Sequence, residues 1–292
     1  MFRVAGAGSL PAKGNPTFAR IADSATLRQA WQRVRANKGG PGGDGVRLEA
    51  FATRLERELV RLASELAGGT YRPGPLRRVL IPKPDGGDRQ LAIPCIRDRV
   101  VQTAALLVLQ PVLDRQQSDA SFAYRPARGV ADALTAVRRA HAAGLVWTLE
   151  ADIVHYFDSI PHRRLLAELA IWIEAEDLLQ LIARWLDGFS ATGVGVAQGA
   201  PISPLLANLF LHPLDRLLAA AGHVPVRYAD DFVVLAASMR DVEQARGIAA
   251  GVLRERGLAL KTAKTRVVAP GTPFRFLGET LCARTQRRAW LA

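Results

Sequence analysis

The chain is poor in the residues that staple or anchor unusual folds. Two cysteines, Cys95 and Cys282, among 292 residues make neither a disulfide framework nor a zinc site, and a reducing, cytoplasmic setting is expected. Long apolar runs are missing. The most apolar stretch, Val100 to Leu109, contains Gln102 and Thr103 and is too short to span a bilayer. Met1 to Leu10 lacks a long apolar core and is followed at once by Pro11-Ala12-Lys13, so no signal peptide is expected. There is no internal repeat, no low-complexity tract and no basic amphipathic helix of the interfacial kind, so no membrane partner is expected. Lysine is scarce too: only Lys13, Lys38, Lys83, Lys261 and Lys264 among 39 basic residues.

What remains is a soluble globular chain, 49% hydrophobic and long enough for a sizeable core. Acid is in deficit, leaving a net charge of +12. The excess is concentrated: residues 1–145 hold 23 Lys and Arg against 12 Asp and Glu, residues 146–292 hold 16 against 15. A basic first half points to a polyanion, and nucleic acid fits best because phosphate neutralisation dominates its binding.

Helical spacing of Leu27, Ala30, Trp31 and Val34 predicts a first helix, ended by the turn-rich Asn37 to Gly45. Leu55, Leu59, Leu62 and Leu66 predict a second, stopped by Gly68-Gly69. Arg72 to Pro94 reads as a hairpin around Pro84-Asp85-Gly86-Gly87. Lys83 and Arg89 would project near its tip, either gripping a triphosphate or standing as solvated charges. Arg97–Leu113 and Val130–Ala143 read as helices. Between them, Ser121-Phe122-Ala123-Tyr124-Arg125-Pro126 mixes rings and guanidinium, suited to nucleic acid or to a core. Leu145 to Ile153 reads as a strand ending at Asp152. Asp158 and Ser159 are expected to cap a helix with Pro161 in its first turn, running on to Trp185. Gly193 to Pro201 feeds a helix from about Ser203, and Gln198-Gly199 before it suits either a close approach to a nucleotide or plain helix entry. Val242 to Arg256 reads as one more amphipathic helix.

Arg227-Tyr228-Ala229-Asp230-Asp231-Phe232 lies between Val224 and Val226 on one side and Val233, Val234 and Leu235 on the other. Strand formers around a polar centre predict a hairpin with two carboxylates at its tip. A solvated turn accounts for an isolated Asp pair, but a third carboxylate, Asp152, has a similar strand-end setting upstream. If the two elements are sheet neighbours, the three can share two divalent ions of the kind used in phosphoryl transfer.

Eight ordered segments resemble the bacterial reverse transcriptases of the group II intron lineage. They are Asn37-Lys38-Gly39-Gly40, Ile81 to Gly87, Ser121 to Pro126, Ala151-Asp152-Ile153 through Phe157-Asp158, Gln198 to Pro201 through Asn208, Tyr228 to Asp231, Gly257 to Leu260 through Lys264-Thr265, and Phe276-Leu277-Gly278. The resemblance implies an α+β right-hand polymerase: a loose segment 1–25, basic fingers 26–145, and a palm 146–282 with an antiparallel sheet and helices behind it. Residues 170–200 or so would pack back on the fingers, and 283–292 would form a stub in place of the helical thumb. It implies that Asp152, Asp230 and Asp231, with the Ile153 carbonyl, hold two Mg²⁺ ions, with Mn²⁺ as a substitute. Lys83, Arg89, Gln198 and Gly199 match nucleotide-binding positions, and Phe157 the aromatic gate that rejects a 2′-hydroxyl. Lys264 matches a lysine thought to protonate the leaving pyrophosphate, a role open to lysine and closed to arginine. Arg77, Arg78, Arg125 and Tyr228 are the remaining candidate nucleic-acid contacts.

The implied partners are an RNA template, a DNA or RNA primer and dNTPs, together with a protein partner or fused domain supplying thumb or integrase function. Ala200 stands where the family more often has Ser. The Ser-Phe-Ala-Tyr-Arg-Pro wording and compact ending also look similar to CRISPR-associated reverse transcriptases. Two rival readings are an RNA-dependent RNA polymerase, which would favour a smaller or polar residue at Phe157, and a non-catalytic RNA-binding scaffold of the same fold.

Overall fold

The structure, a computed structural model, describes residues 18–82 and 87–283. The expected loose segment 1–25 lies largely, and Lys83 wholly, outside those residues. In chain order the helices are α1 (Phe18–Ala22), α2 (Ser24–Ala36), α3 (Leu48–Ala52) and α4 (Leu55–Ala67), followed by the hairpin β1 (Arg77–Pro82) and β2 (Asp88–Ile93). Then come α5 (Ile96–Leu113), α6 (Val130–Ala142), β3 (Trp147–Ala151), α7 (Tyr156–Ser159), α8 (His162–Ala170) and α9 (Glu176–Phe189). The chain continues through α10 (Ser203–Ala220), β4 (Val224–Tyr228), β5 (Asp231–Ala236), α11 (Met239–Glu255), β6 (Arg266–Val268), β7 (Phe274–Phe276) and β8 (Glu279–Leu281).

Two units share the chain: one holds residues up to Gln116 with His162–Gly193 and Ala197–Ile202, the other Gln117–Pro161, Val194–Val196 and Ser203 onward. In the first, α5 is apolar on nearly every side and serves as the axis against which α1, α2 and α4 pack. Leu27, Ala30, Trp31 and Val34 of α2 and Leu59, Leu62 and Leu66 of α4 are buried at the predicted spacings. The Asn37 to Gly45 loop is tied down tightly. Gly40 O accepts from Arg99 Nη2 at 2.6 Å, and a Cβ on Gly42 would stand 2.4 Å from the Cys95 backbone.

The second unit is built on an antiparallel four-stranded sheet in the order β4-β5-β3-β6. β5 and β3 are interior, and β5 is buried from Phe232 to Ala236, which explains its unbroken apolar run. α10 and α11 pack on one face of the sheet. On the other, Ala133, Leu134 and Val137 of α6 cluster with Val226, Val233, Leu235, Val268, Phe274 and Phe276.

Three expectations need correction. β3 ends at Ala151, one residue before Asp152. Asp158 and Ser159 do not cap the next helix; they lie inside α7, because Phe157 O and Ile160 O accept from Val196 N (2.7 Å) and Gly195 N (2.8 Å) and hold this segment against the 194–196 loop. The single helix to Trp185 is two, α8 and α9, the second opening on Glu176 and Asp177 where acidic residues favour a helix start. Among the described residues no helix is long and apolar enough to cross a membrane.

Candidate active site

Strand register brings the carboxylates together. β3 pairs antiparallel with β5, ending at Ala151↔Phe232, so one step further sets Asp152 opposite Asp231. Directly opposed residues project from the same face of a sheet. Asp230 is next to Asp231 in the two-residue connection of the β4–β5 hairpin, whose last pair is Tyr228↔Asp231. Ala229, the other connecting residue, has φ +60°, the left-handed conformation a two-residue hairpin turn demands.

Ile153 bridges to Leu260 through its backbone neighbours. Asp152 O accepts from Lys261 N at 2.8 Å and Val154 N donates to Ala259 O at 2.9 Å, so these two residues face the 259–261 segment. Successive residues of an extended chain turn their peptide groups to opposite edges. The Ile153 carbonyl therefore faces the β5 edge, where Asp230 and Asp231 lie.

The site carries more negative charge than it can comfortably hold. Burial, then the neighbouring Asp152, Asp230 and Glu150, push the Asp231 carboxyl up to about 7. Glu150 lies on the same strand face as Asp152 and is bonded to Arg266 Nε at 2.7 Å. Lys264 Nζ stands 3.4 Å and Lys261 Nζ 3.9 Å from Asp152 Oδ2. Sequence reasoning singles out neither Lys261 nor Glu150; Lys261 carries a signal, being one of five lysines in an arginine-rich chain.

Among the described residues no three His, Cys, Asp or Glu side chains are arranged to hold a metal ion by themselves. A Mg²⁺ site that keeps waters and shares substrate phosphates needs only one or two carboxylates. The donors here are hard carboxylate oxygens, crowded enough to push Asp231 up, and they fit that kind of ion.

Phe157 is half-buried, five residues after Asp152, and its ring meets Tyr156 edge-on at 5.6 Å between centroids. Gln198 and Gly199 belong to the first unit, where Gln198 O accepts from Ala92 N of β2 at 2.7 Å. Gly199 has φ +115°, and a Cβ there would come within 3.2 Å of Ala92 O, so only glycine suits this junction. Arg89 is exposed on β2, opposite Ile81.

The remaining candidates divide. Arg77 is exposed on β1; Arg78 reaches Phe189 O at 3.0 Å; Tyr228 is half-buried beside the carboxylate turn. Arg125 is corrected: it is only 8% exposed, and its guanidinium donates to Ser118 O (2.6 Å) and Ser121 O (2.9 Å), a loop clasp and not a free cation. The mixed segment splits, with Phe122 in the core and Tyr124 51% exposed at φ +59°. Lys38, Gly39 and Gly40 line an open cleft of about 610 Å³ together with Arg35, Arg47 and Glu49.

Comparison with known proteins identifies the family. The chain is 30% identical to Protein YkfC of Escherichia coli (strain K12), over 89% of this chain and 81% of that protein. It is 32% identical to the group II intron-encoded protein LtrA of Lactococcus lactis subsp. cremoris, over 65% of this chain but 33% of LtrA. In fold alone it is similar to telomerase from Candida tropicalis, with a TM-score of 0.56 at 13% identity, covering 75% of this chain and 57% of that one. The family model described as reverse transcriptase (RNA-dependent DNA polymerase) matches residues 81–281. With its carboxylates paired across β3 and β5 inside that span, the chain belongs to the reverse transcriptase family of RNA-directed nucleotidyltransferases.

Proposed function

We propose that the chain copies RNA into DNA by adding dNTPs to a primer 3′-hydroxyl. The observation that carries this reading is the β3–β5 register, which sets Asp152 opposite Asp231 with Asp230 in the adjoining turn. Asp152, Asp230, Asp231 and the Ile153 carbonyl are the residues that would hold two Mg²⁺ ions. When bound, such ions supply charge neutralisation of the triphosphate and an acidified 3′-hydroxyl.

The chain's own residues do the rest. Arg89 of β2 and Lys83, with Gln198 and Gly199, hold the incoming nucleotide. The Phe157 ring closes the space a 2′-hydroxyl would need. Lys264, an ammonium beside Asp152, donates a proton to the pyrophosphate oxygen as it departs. The basic cleft at Arg35, Lys38 and Arg47, with Arg77, provides cations for the RNA backbone. The bulk of Phe157 favours DNA over RNA synthesis, which sets this reading above an RNA polymerase.

Primer extension on an RNA template with Mg²⁺, comparing dNTPs with NTPs, tests the reading beside Asp230→Ala and Phe157→Ala. We expect dNTP-only extension, abolished in Asp230→Ala with RNA binding kept, and ribonucleotide incorporation in Phe157→Ala. Tight RNA binding with no extension by the wild type would favour the scaffold reading.

A further inference from the structure

Beneath the carboxylate turn lies a fully buried arginine that meets no substrate. Arg227 and its partner Asp215 on α10 are each 1% exposed. The pair is bidentate, with Nε 2.8 Å from Oδ1 and Nη2 2.6 Å from Oδ2. The third nitrogen, Nη1, donates both to Asn208 Oδ1 and to Ala229 O, each at 3.0 Å. Asn208 is anchored in turn, its Nδ2 donating to Ala123 O at 2.7 Å. The Arg227 backbone is held as well: its N–H donates to Ala120 O at 2.7 Å and its carbonyl accepts from Phe122 N at 2.9 Å.

Two physical facts make this arrangement informative. A buried ion pair contributes little net stability, and an apolar pair of similar volume often does as well or better. Ala229 is left-handed at φ +60° with a Cβ, a conformation that persists only when its surroundings over-determine it. The Ala229 carbonyl is held from below by Arg227 Nη1. The next residue is Asp230.

We propose that Arg227, clamped by Asp215 and Asn208, is a positioning residue that holds the Ala229–Asp230 turn and so sets where the Asp230 carboxylate stands. This rests on the polymerase reading, in which Asp230 holds a divalent ion. Arg227 touches no reacting atom; its effect passes through one carbonyl and one turn.

The test is the double variant Asp215→Leu/Arg227→Met, which replaces the pair by apolar side chains. Thermal unfolding is expected close to or a few degrees below the wild-type midpoint, because the pair itself contributes little while Asn208 Oδ1 and Ala229 O lose one donor. The kcat of primer extension should fall about 100-fold, as a misplaced reacting group does, while the KM for dNTP changes less than about threefold. Arg227→Lys, which keeps the charge against Asp215 but lacks the planar fork, should lose kcat likewise. Adding Ala229→Gly to the double variant should restore part of the loss, because glycine holds φ +60° unaided. Mn²⁺ binding followed by electron paramagnetic resonance reads the same turn without turnover. It should weaken about tenfold in the double variant and recover with Ala229→Gly. A folded double variant with wild-type kcat and Mn²⁺ affinity would make the pair merely structural. A wild type that extends no primer would defeat the polymerase reading, while the Mn²⁺ comparison still decides the role of Arg227.

Discussion

Two antiparallel hairpins carry the chemistry proposed for this chain, and they are made in opposite ways. β1–β2 is a two-stranded ribbon exposed at most of its positions, with Leu80 61% exposed. β4–β5 joins a four-stranded sheet, and β5 is buried along all but its first residue. The exposed ribbon bears Arg89, the cation proposed to meet a nucleotide that comes and goes. The buried one bears Asp230 and Asp231, which must hold one geometry. Solvent on both faces leaves a strand free to change shape, whereas close packing on both faces fixes it to fractions of an ångström.

Substitutions that break this contrast range from severe to silent. Asp231→Asn should reduce extension by at least about 10³-fold, a cost of roughly 4 kcal/mol in the transition state. The same change removes a half-buried charge that partial burial, Asp152, Asp230 and Glu150 all oppose. In EDTA its thermal midpoint should therefore lie a few degrees above the wild type. A lower midpoint would mean the carboxylate is better solvated than its neighbours suggest. Phe232→Ala, in the buried hairpin, should cost about 3–5 kcal/mol by chemical denaturation. In the exposed ribbon Arg89→Gln should raise the KM for dNTP about tenfold, roughly 1.4 kcal/mol, with the unfolding midpoint unmoved. Leu80→Ser should stay within about 0.5 kcal/mol of the wild type. A large stability loss at Leu80 would mean that the ribbon is not the adaptable element described here.

Much of the site is legible in the sequence because its signals are local. Asp-Asp between two strand-forming runs, a strand ahead of Asp152, and Gln-Gly before a helix each need only neighbours in sequence. Elements whose ends depend on distant partners are not legible in that way. α7 exists because Phe157 and Ile160 are bonded to a loop some 40 residues away, and no residue between them announces it. The break between α8 and α9 contains neither Gly nor Pro, so helical periodicity runs through it unmarked. Arg125 has the character of an exposed contact in the sequence, an arginine among aromatic residues. Its burial comes from Ser118 and Ser121 carbonyls that turn toward it only in the folded loop.

Residue type and short-range spacing were enough for the order of the motifs, the three candidate carboxylates and the basic bias of the first half, while the α+β class came from the resemblance those motifs carry. That β3 lies between β5 and β6, and hence that Asp152 faces Asp231, is set by the folded sheet. Only the tertiary structure decided that Arg227 meets Asp215 and Ala229. Register and side-chain partnership depend on which strands become neighbours, and that choice belongs to the packing of the whole core.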